Sequence, residues 1–343
     1  MKGAFVFILA LACVLQATAF NRDVLSNLLE RLLDDKYEKK GHAKRVAFPT
    51  DCGINKFGNK PPKSRSLREN EDEASILDVL RSLLGDKQEK RIMGGKQATQ
   101  GAHPWIVYFN IPQGDGHAAG CGGSLITPQW VVTAAHCFFD SKNHQSLAGN
   151  KDKIIVVVGE HNIKQGVHEK NEKELTIEEI FTHEEYDPSV TVTSNDIALV
   201  RLTKPVQLNE YVRVICMPEK PIAPKSKCQA AGWGIQANGK APDILREVNL
   251  VSMSQEACDQ TKDFKLVKGM MCAGKTEKAE KGDACEGDSG GPLACLVDGK
   301  YTLGGATSFG VDCRTREISP GIYADVFSYK QWIEEIISVF DKK

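Results

Sequence analysis

Apolar residues recur at helical spacing in three places along the chain. Val24, Leu25, Leu28, Leu29, Leu32 and Leu33 line one helical face, and Ile76, Leu77, Leu80, Leu83 and Leu84 line another. Near the C-terminus, Trp332, Ile333, Ile336, Ile337 and Phe340 fall on one side of a helix predicted over 329–340. From Ile92 to that helix the pattern is different. Short β-branched and apolar runs follow one another, such as Trp105-Ile106-Val107-Tyr108-Phe109, Ile154-Ile155-Val156-Val157-Val158 and Ile197-Ala198-Leu199-Val200-Arg201-Leu202. Turn residues separate them at close intervals, which predicts an all-β barrel or sandwich.

The region before Ile92 is organised as a processed leader. Residues 1–19 read as a signal peptide: Lys2 supplies the positive start, Ala4 to Leu15 the apolar stretch, and Ala17-Thr18-Ala19 a small-residue cleavage site. That stretch is too short to cross about 30 Å of hydrocarbon, so the expectation is secretion to the outside or into a granule, with no membrane partner. Residues 20–91 read as a pro-region. Its two leucine-rich blocks resemble each other, and each is followed by a dibasic pair, Lys44-Arg45 and Lys90-Arg91. Duplication and chance likeness of two amphipathic helices both remain open. Between the blocks, 48–73 is rich in Pro, Gly, Asn and charge and reads as a linker.

Composition changes this picture in two ways. The chain has eleven cysteines; Cys13 leaves with the leader, and the even remainder suits a disulfide framework in an oxidising compartment. The net charge of −1 offers no field for nucleic acid. No Asn-x-Ser/Thr acceptor for N-glycosylation occurs.

The chemistry is concentrated in three segments: Thr133-Ala134-Ala135-His136-Cys137, Asn195-Asp196-Ile197-Ala198-Leu199, and Gly287-Asp288-Ser289-Gly290-Gly291-Pro292. A serine hydroxyl is a weak nucleophile and needs a base in reach. His136 can take its proton and return it, and Asp196 can hold the imidazole tautomer and stabilise the imidazolium. Small residues around Ser289 leave backbone N–H groups open to an oxyanion. In this order and spacing, the segments resemble the chymotrypsin/trypsin family of secreted serine endopeptidases, over Ile92 to the C-terminus.

The resemblance implies a peptidase domain over 92–343, all-β, with two packed antiparallel six-stranded barrels and a C-terminal helix. It implies a triad of His136, Asp196 and Ser289, with Ser308 supporting Asp196, and an oxyanion hole from the N–H groups of Gly287 and Ser289. Asp283, six residues before Ser289, falls where the family places the floor of its specificity pocket. A carboxylate there favours Arg or Lys before the scissile bond. Gly310 and Gly321 would keep the pocket walls open, and Phe309 departs from the tryptophan common in the family. Lys90-Arg91-Ile92-Met93-Gly94-Gly95 resembles an activation site, at which cleavage after Arg91 frees an ammonium on Ile92 to pair with Asp288.

The implied disulfides are Cys121–Cys137, Cys228–Cys295, Cys258–Cys272 and Cys285–Cys313, with Cys52–Cys216 tethering the pro-region as a light chain. Glu160, Asn162, Glu169 and Glu172 resemble a calcium loop, with a solvated acidic loop as the alternative; no cofactor is otherwise required. Expected partners are protein or peptide substrates, an activating protease or autoactivation, and protein inhibitors. Two other roles stay open: a protease-like scaffold without turnover, and a pro-region that releases a secretory peptide.

Overall fold

The computed structural model describes residues 46–57, 95–113, 116–164, 170–190, 194–235, 240–260, 265–275, 288–309 and 320–341. The expected leader over 1–19, both leucine-rich blocks and most of the expected linker lie outside the described residues.

Two antiparallel sheets carry the fold. The first is built from β2 (Ile106–Pro112), β3 (Ala118–Thr127), β4 (Trp130–Thr133), β5 (Ile155–Val158), β6 (Lys173–Leu175), β7 (Ile177–Thr182) and β8 (Ala198–Leu202), in the order β6-β5-β2-β3-β4-β8-β7. Its strands are the apolar runs of the sequence. In β8 every residue except Arg201 is buried, so the run has no polar alternation to read.

The second sheet contains β1 (Lys96–Gln97), β9 (Lys227–Gly232), β10 (Arg246–Ser252), β11 (Met270–Gly274), β12 (Pro292–Val297), β13 (Lys300–Phe309) and β14 (Gly321–Asp325). Its order is β1-β10-β11-β14-β13-β12-β9, and β9 also pairs with β10, which closes a six-stranded barrel with β1 attached outside. The β12–β13 hairpin turns on Asp298-Gly299, with φ of 49° and 79° and Val297 opposite Lys300. Two successive positive φ values define the tight turn that Asp-Gly favours. The all-β class, with two antiparallel sheets and a C-terminal helix, is therefore as expected. Closure differs between the halves: among the described residues, β6 and β7 at the ends of the first sheet do not pair with each other.

A shared core locks the halves together. Trp105, Trp130, Ile197 and Leu199 from the first half pack in one cluster with Ala294, Leu303 and Ala306 from the second. The C-terminal helix α1 (Lys330–Phe340) adds Ile333, Ile337 and Phe340, the apolar side predicted from spacing. Phe340 meets Phe181 edge-on at 4.8 Å between centroids, and Trp130 Nε1 donates to Asp341 at 3.1 Å. The helix of the second half thus seals the back of the first.

Residues 46–57 are docked on this body. Gly53 N donates to Val214 O at 2.9 Å, and Tyr301 N to Gly53 O at 3.1 Å. Val46 and Phe48 pack against the shared core, and Phe57 stacks on Tyr211 at 5.0 Å. Gly53 has φ +66°, and a Cβ there would lie 2.3 Å from Tyr301 O, so only glycine allows the close approach. Four disulfides join Cys52–Cys216, Cys121–Cys137, Cys228–Cys295 and Cys258–Cys272. These are the implied pairs; Cys285 and Cys313 lie outside the described residues.

Candidate active site

Strand register brings His136 and Asp196 together. β4 runs antiparallel to β8 with Thr133 opposite Ala198. His136 follows Thr133 in a short 3-10 turn, Ala135–Phe138, and Asp196 precedes Ala198. Both therefore emerge at the same end of one strand pair. Asp196 Oδ2 lies 2.8 Å from His136 Nδ1, and its Oδ1 accepts the His136 backbone N–H at 2.9 Å. The Ser308 hydroxyl donates to Oδ2 as well. Asp196 is only 3% exposed, and three donors satisfy a carboxylate that burial would otherwise penalise by several kcal/mol.

These contacts set the charge states. Burial alone would raise the Asp196 pKa, but the His136 charge and the three hydrogen bonds outweigh it and hold the carboxyl below its ordinary value. Burial pushes His136 down, while the charge and hydrogen bond of Asp196 more than reverse this, so its net direction is up. The His136 side chain remains 31% exposed. Because Nδ1 faces Asp196, Nε2 is the nitrogen left to exchange a proton with a nucleophile.

The second half repeats the geometry. β12 pairs with β13 with Pro292 opposite Ala306, so Ser289, just before β12, and Ser308, just beyond Ala306, share one end of that pair. Ser308 sits at a register shift between Thr307 and Phe309 where β13 meets β14. A bulge re-aims a side chain, and here the re-aimed hydroxyl crosses to Asp196 in the other half.

The Ser289 turn is pressed against the strand that leads into His136. Gly122 N donates to Ser289 O at 2.7 Å, and Gly290 N to Thr307 O at 2.7 Å. Cys137 Sγ lies 3.8 Å from Ser289 O. Gly290 has φ +74°, and a Cβ there would fall 2.1 Å from Thr133 Oγ1 and 2.6 Å from Gly122 O. A Cβ on Gly122 would lie 2.7 Å from Gly291 Cα. Two bare glycines thus let the serine turn lie flush on β3 and β4.

Asp288 is seated just as closely. Its Oδ1 accepts from Gly234 N at 2.8 Å. Any Cβ on Gly232 would come within 2.1 Å of that oxygen, and one on Gly234 within 2.6 Å of the carboxyl group. The Gly232-Trp233-Gly234 run is a structural feature that motif reading passed over. The spaced glycines signalled a close approach, and Asp288 is what approaches.

Of the other expected residues, Gly321 opens β14 and is buried. Phe309 packs beside the Cys258–Cys272 cluster with Met253 and Met270. Arg91, Ile92, Glu169, Asp283, Gly287 and Gly310 lie outside the described residues. In the acidic loop, Glu160 Oε1 accepts from His161 N and Asn162 N, both at 2.9 Å. Asn162 Oδ1 accepts from Lys164 N at 3.1 Å, and Glu172 lines a surface hollow with Lys170, Asn171 and Lys173. Glu160 and Asn162 thus turn side-chain oxygens on neighbouring backbone N–H groups. Cys121, His136 and Cys137 bring potential ligand atoms within 4.8 Å of one another, but both sulfurs belong to one disulfide.

A buried acid holding a half-open histidine near a glycine-cradled serine turn, at strand ends of two β-sheets, is the arrangement that serine peptidase chemistry requires. A family model described as trypsin matches residues 92–333. The chain is also similar to mannan-binding lectin serine protease 1 of Mus musculus, with 31% identity over 264 residues, 74% of this chain and 36% of the relative. It therefore spans little more than a third of that relative's length. The chain belongs to the trypsin family.

Proposed function

We propose that the chain is the precursor of a secreted endopeptidase that hydrolyses peptide bonds after Arg or Lys and is activated by cleavage after Arg91. The observation that carries the reading is Asp196 bonded to His136 Nδ1 beside the Ser289 turn. Ser289 Oγ attacks the scissile carbonyl while His136 Nε2 takes its proton. The tetrahedral oxyanion is held by the N–H groups of Gly287 and Ser289. His136 then gives the proton to the leaving amine, an acyl-enzyme remains, and water repeats the sequence to release the acid. Asp196 stays ionised throughout, as its depressed pKa favours.

Basic specificity rests on the spacing of Asp283, six residues before Ser289. An unpaired buried carboxylate is costly, and a substrate guanidinium or ammonium relieves it. Activation rests on the Arg91-Ile92 junction, and the close seat of Asp288 against Gly232 and Gly234 supports it by fixing the carboxylate with which the new ammonium would pair. Secretion is supported by the leader-like 1–19 segment and by four disulfides, which belong to oxidising compartments. Among the described residues no helix is long and apolar enough to cross a membrane. After cleavage, the docked 46–57 segment and Cys52–Cys216 keep the light chain attached, so the product is a two-chain enzyme. Its partners are basic protein or peptide substrates, an activating protease or a second copy of itself, and protein inhibitors.

The test is hydrolysis of arginyl, lysyl and phenylalanyl amides before and after cleavage at Arg91. The reading requires activity only after cleavage, confined to the basic amides, abolished in Ser289→Ala and shifted away from them in Asp283→Ser. Full activity in an uncut Arg91→Gln precursor would overturn the activation step, and hydrolysis indifferent to Asp283→Ser would overturn the specificity.

A further inference from the structure

Asn195 stands immediately before Asp196 with φ +61°. Asparagine tolerates this left-handed conformation better than most side chains, but it remains a minority state that contacts must select. The direction of the Asp196 side chain depends on this residue's backbone. Two contacts on Asn195 come from a tyrosine far along the chain. The Tyr329 hydroxyl accepts the Asn195 backbone N–H at 3.0 Å and donates to Asn195 Oδ1 at 3.1 Å. Asn195 Nδ2 in turn donates to Glu185 O at 3.3 Å. On the other side of Asp196, His183 N donates to Ile197 O at 3.0 Å.

Tyr329 is itself fixed in place. It is buried, precedes α1, and meets the His183 ring edge-on at 5.3 Å. Gly269, at φ +86°, makes room for the hydroxyl: a Cβ there would lie 2.0 Å from Tyr329 Oη. Burial, reinforced by the charges of Asp196, Asp325 and Glu185 and opposed by the Asn195 N–H bond, pushes the phenol up to about 12. It therefore stays protonated and keeps its donor role at any working pH.

We propose that Tyr329 is a positioning residue of the triad: its hydroxyl clamps the left-handed Asn195 and so aims the Asp196 carboxylate at His136 Nδ1. The inference rests on the His136–Asp196–Ser289 reading above. Tyr329 touches neither substrate nor the reacting atoms, and it acts only through Asn195. Gly269 has a supporting part, since its missing side chain is what lets the hydroxyl reach.

Tyr329→Phe keeps the ring and removes only the clamp. In the activated enzyme, kcat on an arginyl amide should fall roughly five- to tenfold with KM unchanged, a fraction of the hundredfold that a 1 Å misplacement carries. The acid limb of the pH profile should move to lower pH, because a less well-aimed carboxylate raises His136 less. Asn195→Gly, which adopts positive φ without strain, should reproduce both changes at smaller size and serves if Tyr329→Phe does not fold. Ser289→Ala is the control for the underlying reading. If it retains hydrolysis, the triad assignment fails and the clamp fails with it. If it abolishes hydrolysis while either folded clamp variant lowers only Tm, leaving kcat and the acid limb unmoved, the clamp alone is wrong.

Discussion

The first sheet and the second barrel each deliver a side chain to the end of a strand pair, and they hold it by different means. In the first, Asp196 is secured by hydrogen bonds to its charge: two from His136 and one from Ser308. In the second, Ser289 is secured through backbone, with Gly122 N on its carbonyl and Gly290 N on Thr307, and the fit depends on absent side chains at Gly122 and Gly290. One half is sensitive to polarity and the other to volume. Polar changes should remove activity with modest loss of stability, and glycine changes should remove both together.

The largest effect separates chemistry from folding most cleanly. Ser289→Ala should lower kcat by about 10⁶ and Asp196→Asn by about 10⁴. Ser289→Ala should leave the melting temperature nearly unchanged, since its fixing contacts are backbone. If its residual rate is instead within tenfold of the parent, the serine is not the nucleophile and the comparison has no catalytic content.

Gly290→Ala tests the other half. The positive φ costs about 1–2 kcal/mol for a residue with a Cβ, and relieving the overlap with Thr133 Oγ1 adds about 1–3 kcal/mol. Denaturant unfolding should show a loss near the sum of these, with activity falling in parallel. Gly149, whose added Cβ meets nothing within 4 Å, is the control, and its alanine variant should be close to neutral in both assays. Equal effects at the two positions would show that the Ser289 turn is not seated on bare glycine.

How much of this was legible follows the same division. The segments bearing His136, Asp196 and Ser289 could be picked out because their residue types and local spacing carry the chemistry, and the structure pairs His136 with Asp196. The C-terminal helix was legible because one face is apolar, and Ile333, Ile337 and Phe340 are indeed buried. The disulfides followed from resemblance, and all those within the described residues join as implied. Pairings between distant backbones could not be read. Nothing local to Gly122 says that Gly291 will lie against it, and nothing near Asn195 announces Tyr329, 134 residues away. Glycine marks that something approaches, but the approaching group is set by the register of two strands. The Asp298-Gly299 turn is the counter-case, a local signal sufficient for the β12–β13 hairpin that carries Ser289 and Ser308 at its open end.

Ser308 is where the two halves meet, so it sharpens the contrast at intermediate size. Ser308→Ala removes one donor of three from Asp196 and leaves both His136 bonds in place. A lost hydrogen bond to a buried charge is worth about 1.5–3 kcal/mol, so kcat/KM should drop roughly tenfold or somewhat more, with a matching fall in stability. Ser308→Thr retains the hydroxyl and should recover part of both. No change in either quantity would mean that the contact between halves does not support the acid.

The smallest effect is a displacement along the pH axis. His136 is raised above its ordinary 6.5 by Asp196, and only neutral imidazole can accept the serine proton. The acid limb of kcat/KM should therefore lie above 6.5, and Asp196→Asn should bring it down because the raising charge is gone. Linkage fixes the companion stability trends. The His136 contribution is complete below its unfolded pKa and is lost as pH rises through the raised folded value. Asp196 behaves oppositely: held below its ordinary 3.8, it stabilises fully above that value and loses its contribution as pH falls through the depressed one. Melting curves for parent and Asp196→Asn should consequently converge toward strongly acid pH and separate above about 4. A constant gap across that range would mean that Asp196 is held by shape, as Ser289 is, and the polarity-against-volume contrast between the halves would not stand.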